Sequence, residues 1–200
     1  MRKLQVEELG RLSVEAYRTA PKLPLRLALD EVRSRYNVGS LLRSADAFRV
    51  EKVYLGGFTP APPHPEIHRS ALGAEDSVAW EKVPVLPPLL LQLKKEGWYL
   101  LAVEHTDQSH SLWQYRWPQK PLVLILGNEL SGISEAVLAV CHEAIEIPQF
   151  GTKHSLNVAV AGGIVLYEAA RILTGEGPFH TASGLKAPDV PPAPEGPSPQ

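Results

Sequence analysis

Apolar and polar positions follow two rhythms along this chain. Val38, Leu41, Leu42, Ala45 and Phe48 recur at i, i+3, i+4, i+7 and i+10, one face of a helix over 38–48. Arg43 lies off that stripe, so packing makes no demand for its side chain. Short, nearly continuous apolar runs predict strands over 25–30, 52–57, 98–103, 121–126 and 144–147, with a shorter strand over 78–83. The run over 121–126 is apolar almost throughout, as a parallel strand covered on both faces requires. Helices are predicted over 66–72, 87–96 and 134–141, and a long closing helix over 155–173. Pro87 near its start and Gly97 past its end punctuate the second of these; Ser134 and Glu135 suit the first turn of the third. The stretch 59–65, Thr-Pro-Ala-Pro-Pro-His-Pro, reads as a stiff loop. Residues 5–19 read as a short polar helix, stopped by Pro21 and Pro24.

Strands alternating with helices imply an α/β fold: one mostly parallel sheet with helices on both faces. The organisation expected is an N-terminal helical extension over 1–22, one domain over 23–174 and a tail over 175–200, with no internal repeat. Residues 174–200 hold 7 Pro and 4 Gly among 27, too few large apolar groups to offset chain entropy, so a mobile tail is expected.

Composition narrows the class. Of 200 residues, 44% are hydrophobic and 21% charged, as in ordinary globular proteins. No apolar run approaches the roughly 20 residues that span a bilayer. The N-terminus lacks the apolar core of a secretory signal, and the single Cys141 has no partner for an internal disulfide. One Cys and seven His at scattered positions give no zinc spacing. The expectation is a cytoplasmic protein with no membrane segment and no metal. Net charge is −2 but unevenly spread: residues 1–52 carry 11 Lys/Arg against 7 Asp/Glu, and the remainder 9 against 15. The basic excess is either solvated helix faces or a surface that meets a polyanion.

Common nucleotide and hydrolase signatures are missing: no G-x-G-x-x-G after a strand, no G-x-x-x-x-G-K-[ST], no G-x-S-x-G. What remains is polar chemistry at strand ends, where open α/β sheets hold their ligands. Gly127 follows one apolar strand, Ile147-Pro148 ends the next, and Ser155 and Asn157 open the last helix. These offer main-chain donors and acceptors lining a slot suited to a purine edge; singly, each is also an ordinary βα turn. The run Leu156 to Leu166 is apolar nearly all round, which predicts burial on more than one side and a buried Asn157 amide. Gly162-Gly163 in mid-helix costs roughly 1 kcal/mol per Gly relative to Ala, which predicts close approach of another backbone, at a dimer interface or a chain crossing.

Three stretches carry a resemblance. They are Asn37-Val-Gly-Ser-Leu-Leu-Arg43-Ser-Ala-Asp-Ala-Phe48, Gly127-Asn128-Glu129-Leu130-Ser-Gly132-Ile-Ser134, and Ile147 to Ile164, which contains Ser155-Leu156-Asn157-Val-Ala-Val-Ala. In order and spacing they resemble the motifs of the SpoU (TrmH-type) family of SPOUT RNA methyltransferases, over roughly residues 25–173. Residues 59–75 also look like a segment common in short members. Arg49 stands where Gly often follows the first motif, Leu130 where Gly often follows Glu129, and Gln149 at a Met position.

The resemblance implies a sheet whose C-terminal part threads a deep trefoil knot, and a homodimer whose active sites are completed at the subunit interface. It implies methyl transfer from S-adenosylmethionine to a ribose 2′-hydroxyl of structured RNA, tRNA or rRNA. The cofactor would sit against Leu126, Gly127, Asn128, Ile147, Ser155 and Leu156. The catalytic group would be Asn37, Arg43, Glu129, Ser155 and Asn157. In the family the matching Arg has been proposed as a base, but a guanidinium with pKa above 12 is better suited to binding phosphate and stabilising a developing alkoxide. Read without the resemblance, Arg43 pairs with Asp46 at i+3 and Glu129 is a carboxylate at a helix start. A non-catalytic RNA-binding protein on the same fold and a base-nitrogen RNA methyltransferase are the alternatives.

Overall fold

The computed structural model describes residues 1–175. In chain order it contains a 3₁₀ turn (Val6–Leu9), α1 (Val14–Thr19), β1 (Leu23–Asp30), α2 (Arg35–Ala47), β2 (Val50–Gly56), α3 (Pro65–Ala71), α4 (Ala74–Ser77), β3 (Trp80–Val83), α5 (Leu86–Lys95), β4 (Tyr99–Val103), β5 (His110–Ser111), β6 (Leu122–Leu126), α6 (Glu135–Leu138), β7 (Glu143–Glu146) and α7 (Val158–Leu173). The strands form one seven-stranded sheet in the order β3-β2-β1-β6-β4-β7-β5, and every pairing is parallel. The tail expected over 175–200 lies, from residue 176 on, outside the described residues.

Both faces of the sheet are covered. All five residues of β6 are buried, and side-chain alternation divides them. Leu122, Leu124 and Leu126 join Leu25, Leu27, Leu29, Leu41, Leu42 and Leu166 in one core; Val123 and Ile125 join Leu90, Leu100 and Val137 in the other. Each such side chain contributes roughly 1.5–3 kcal/mol by leaving water. The first core lies under α2 and α7, the second under α5 and α6.

Several boundaries differ from the sequence expectation, each for a local reason. The helix expected over 5–19 is two pieces: Gly10 adopts φ 57° and ends the 3₁₀ turn, and Ser13 caps a new helix by accepting from the Ala16 amide. α2 begins at Arg35, where the Ser34 side chain accepts from the Asn37 amide. α6 covers only Glu135–Leu138, its continuation being i→i+3 turns at Val140 and Cys141. α4 and β5, at four and two residues, show too little periodicity to be read from sequence.

The closing helix departs most. It starts at Val158, not 155, because Asn157 is its cap. Its apolar surface is not covered all round: Val160, Ile164 and Tyr167 are 52%, 39% and 58% exposed, while Gly162, Val165, Leu166, Ala169 and Leu173 face the core. Asn157 is itself exposed. The expected approach of a second backbone at Gly162 is replaced by two leucines. A Cβ there would lie 2.3 Å from Leu41 Cδ2 and 2.8 Å from Leu126 Cδ1, so glycine lets α7 seat on α2 and the end of β6. At Gly163 the nearest atom to such a Cβ is 4.0 Å away.

Candidate active site

A cavity of about 460 Å³ opens at the C-terminal ends of β4, β6 and β7. Its wall includes Leu126, Gly127, Asn128, Ile147, Ser155 and Leu156, so the six residues expected at a cofactor line one space. The size lies within the range of small-molecule sites. Gly127 is required by geometry: a Cβ there would fall 2.2 Å from the carbonyl carbon of Gly132. That closeness comes from a tight loop, 128–132, in which the Asn128 and Gly132 amides each donate to the other residue's carbonyl at 2.9 Å. The Asn128 side chain holds the loop from within. Its Oδ1 accepts from the Leu130 and Ser131 amides at 2.9 and 3.2 Å, and its Nδ2 donates to the Glu31 carbonyl at 2.7 Å. Asn128 therefore presents main chain to the cavity and spends its amide on the loop.

Glu129 is the hub of the rim. Its carboxylate accepts from the Arg33 amide at 2.9 Å, the Ser34 amide at 3.0 Å and Asn37 Nδ2 at 2.8 Å. Asn157 Nδ2 in turn donates to Asn37 Oδ1 at 3.1 Å, while Asn157 Oδ1 accepts from the Ala159 and Val160 amides at the start of α7. One chain of hydrogen bonds thus links the β6 loop, the start of α2 and the start of α7. Partial burial alone would raise the Glu129 pKa; the two amides and Asn37 more than offset it and hold the carboxylate below its ordinary range.

Two further carboxylates face the cavity. Glu104, just past β4, accepts from the Ile133 amide through Oε2 and from the His105 amide through Oε1, both at 2.9 Å. Glu146 at the end of β7 accepts from Ser109 Oγ at 2.6 Å and approaches His105 Nδ1 at 3.3 Å; Gln149 Nε2 lies 3.0 Å from His105 Nε2. The Glu146 contact calls for a hydrogen on His105 Nδ1. Sequence reading missed Glu104, His105 and Glu146 as wall residues. The available signal was their position at the C-terminal ends of strands, the rule that had pointed to Gly127.

Asn37, Glu129 and Asn157 are therefore brought together, and Ser155 lies on the cavity wall. Arg43 is not with them. It stands exposed on α2, outside the cavity lining, and makes no hydrogen bond or ion pair among the described residues. The Arg43–Asp46 pair is not formed; Asp46 accepts instead from Ser77 Oγ at 2.5 Å. The wall combines apolar side chains (Leu126, Leu138, Ile145, Val158), main-chain groups and acceptor carboxylates, a lining that fits a nucleoside-sized ligand.

Comparison with known proteins decides the lineage. A family model, the SpoU rRNA Methylase family, matches residues 24–167. The chain belongs to that family. Among curated SpoU relatives it is 34% identical over 151 residues to an uncharacterized tRNA/rRNA methyltransferase of Synechocystis, covering 76% of this chain and 54% of the relative. It is 32% identical over 148 residues to the 23S rRNA (guanosine-2′-O-)-methyltransferase RlmB of Vibrio parahaemolyticus, covering 74% and 59%. The chain thus spans less than two thirds of these relatives' length. Among solved structures, the SpoU methyltransferase AviRb of Streptomyces viridochromogenes, in complex with AdoMet, superposes with a TM-score of 0.69 at 26% identity, covering 78% of this chain and 62% of that one.

Proposed function

We propose that this protein is an S-adenosylmethionine-dependent methyltransferase acting on a ribose 2′-hydroxyl of tRNA or rRNA. The observation that carries the reading is the Glu129–Asn37–Asn157 hydrogen-bond chain on the rim of a nucleoside-sized cavity, in a chain of the SpoU family. Support for the cofactor comes from the cavity's main-chain lining at 126–128 and from the AdoMet complex of the structural relative. Support for RNA comes from the relatives' names.

The bound cofactor supplies an electrophilic methyl on a sulfonium. Transfer of that methyl to O2′ would leave a neutral thioether and would require the 2′-hydroxyl proton to be lost to a base at the rim of the cavity. The protein's task is alignment, exclusion of water and charge stabilisation. Leu126, Gly127, Asn128, Ile147, Ser155 and Leu156 hold the nucleoside against their backbone and apolar surface. Glu129, fixed by two amides, orients Asn37; Asn157 locks that pair to α7. Arg43 acts as a cation that binds phosphate and steadies the developing alkoxide.

Arg43 stands outside its own cavity, so the reading includes a homodimer in which it serves the second copy's site. The exposed face of α7 and the aromatic groove beside it, formed with Trp113, Tyr115 and Trp117, support that contact. A C-terminal trefoil knot belongs to the same reading; the seating of Gly162 on Leu126 and the reach of Asn157 to Asn37 fit a chain end drawn behind β6. We also read the protein as cytoplasmic, where tRNA and rRNA reside, and as metal-independent, because methyl transfer from a sulfonium calls for no metal. No described helix is long and apolar enough to cross a membrane, and no group of three His, Cys, Asp or Glu among the described residues suits a metal ion.

The test has two parts: calorimetry with S-adenosylmethionine, and mass spectrometry of nucleosides from bulk tRNA and rRNA after reaction with methyl-labelled cofactor. The reading predicts binding and a labelled 2′-O-methylnucleoside. Label on a base would instead establish the base-nitrogen reaction, and absence of cofactor binding the non-catalytic alternative.

A further inference from the structure

The reaction above uses Arg43 but leaves the rest of the ridge along the outer face of α2 without a role. Tyr36 and Arg43 are seven residues apart, so they share one helix face about 10.5 Å apart along the axis. Both are exposed, with Tyr36 at 45%. Arg69 of α3 donates from Nη1 to the Tyr36 hydroxyl at 3.3 Å, placing a guanidinium at the polar edge of an open ring. Arg33, also exposed, begins the ridge, and its amide is one of those that fix Glu129. Arg35 alongside is paired loosely, at 3.6 Å, with Glu66. The ridge thus carries Arg33, Arg35, Arg43 and Arg69; Glu66 pairs loosely with Arg35, while the nearby carboxylates Glu129 and Asp46 are taken up by backbone amides and Asn37 and by Ser77. It falls largely in the segment whose basic excess is read either as solvated helix faces or as a surface that meets a polyanion.

We propose that this ridge seats a single RNA strand, with an unpaired base near the methylated nucleotide stacked on Tyr36 and neighbouring phosphates held by Arg33 and Arg69. An exposed aromatic flanked by guanidinium groups is the standard pairing of stacking platform and phosphate clamp for single strands. A paired A-form helix offers no base face to such a ring. Seven helical residues separate Tyr36 from the catalytic cation Arg43, a span of only a few nucleotides. Through Arg43 the ridge leads to the second copy's site in the proposed homodimer, and it specifies a target in a loop or unpaired stretch. The inference rests on the methyltransferase reading and narrows its substrate to single-stranded RNA.

The experiment is fluorescence anisotropy of the full chain with a 12-nucleotide single-stranded oligouridylate and with a fully paired RNA duplex of equal length, across a salt series. Wild type is expected to prefer the single strand. Tyr36→Ala should weaken single-strand binding by about 5- to 150-fold with an unchanged salt slope, while Tyr36→Phe retains it. Arg69→Ala should reduce the salt slope by about one charge. Calorimetric cofactor binding by each variant reports that the fold is intact. Equal affinity of wild type and Tyr36→Ala for the single strand would overturn the ridge, as would a Tyr36→Ala loss equal on duplex and single strand. Failure of wild type to bind S-adenosylmethionine would instead overturn the methyltransferase reading, and the RNA comparison would still be legible.

Discussion

The rim of the cavity and the outer faces of α2 and α7 differ in how their side chains are used. On the rim nearly every polar group has a protein partner: Glu129 takes three donors, Asn37 bridges two elements, and Asn128 and Glu104 are spent on backbone amides. On the outer faces Arg43 has no partner among the described residues, and Val160, Ile164 and Tyr167 stand in water. The first region is satisfied within one chain; the second leaves a cation and apolar side chains without partners among the described residues, and the proposed homodimer is what would use them.

The comparison can be broken most sharply at Arg43. Arg43→Ala should lower methyl transfer by about 10²- to 10³-fold, while cofactor affinity by calorimetry stays near wild type. Retained turnover would show that the unpartnered cation is idle. On α7, Ile164→Asp places a charge on the surface that should be buried between copies. Sedimentation should shift to the monomer and transfer should fall with it, with thermal stability at low protein concentration little changed. A variant that remains dimeric would move the interface elsewhere.

Smaller effects separate the two sides of α7 itself. Gly162→Ala forces a methyl against the buried Leu41 and Leu126 and should cost about 1–3 kcal/mol of unfolding free energy before its helix-propensity gain. Gly163→Ala has room and should gain up to about 1 kcal/mol. Urea denaturation of the pair reads the difference, and equal midpoints would refute the packing account. The rim offers a pH signature. Because the folded Glu129 carboxylate titrates below its unfolded value, its contribution is complete above the ordinary carboxylate range and disappears as pH falls through the folded pKa. Glu129→Gln should therefore be less stable than wild type near neutrality, with the gap closing on acidification. A gap that widens as pH falls would contradict the hydrogen-bond assignment.

How far this was readable from sequence depends on where the information lies. β6 and the stripe of α2 are local patterns, and both elements formed on the residues that apolar periodicity marked, α2 with a further turn at its start. At α7 the same logic predicted burial on more than one side, and within one chain only one side is covered: Val160, Ile164 and Tyr167 face outward. Asn157 was expected to be buried on that ground; it is exposed and serves as a cap. The Asn37–Glu129–Asn157 chain joins residues up to 120 positions apart, and only motif resemblance hinted at their meeting. Glu104, His105 and Glu146 converge because β4 and β7 are neighbours in the sheet although β5 and β6 lie between them in sequence. No periodicity encodes that adjacency.

The central claim is that each working site combines the cavity of one chain with Arg43 of another. Mixing two variants, Arg43→Ala and Glu129→Ala, each expected to be inactive alone, and allowing subunits to exchange tests it directly. If the site is shared, half the dimers become mixed and each carries one intact pair, so methyl transfer should return to about one quarter of wild type. If the mixture exchanges subunits and stays as inactive as its components, Arg43 serves its own chain and the account is wrong.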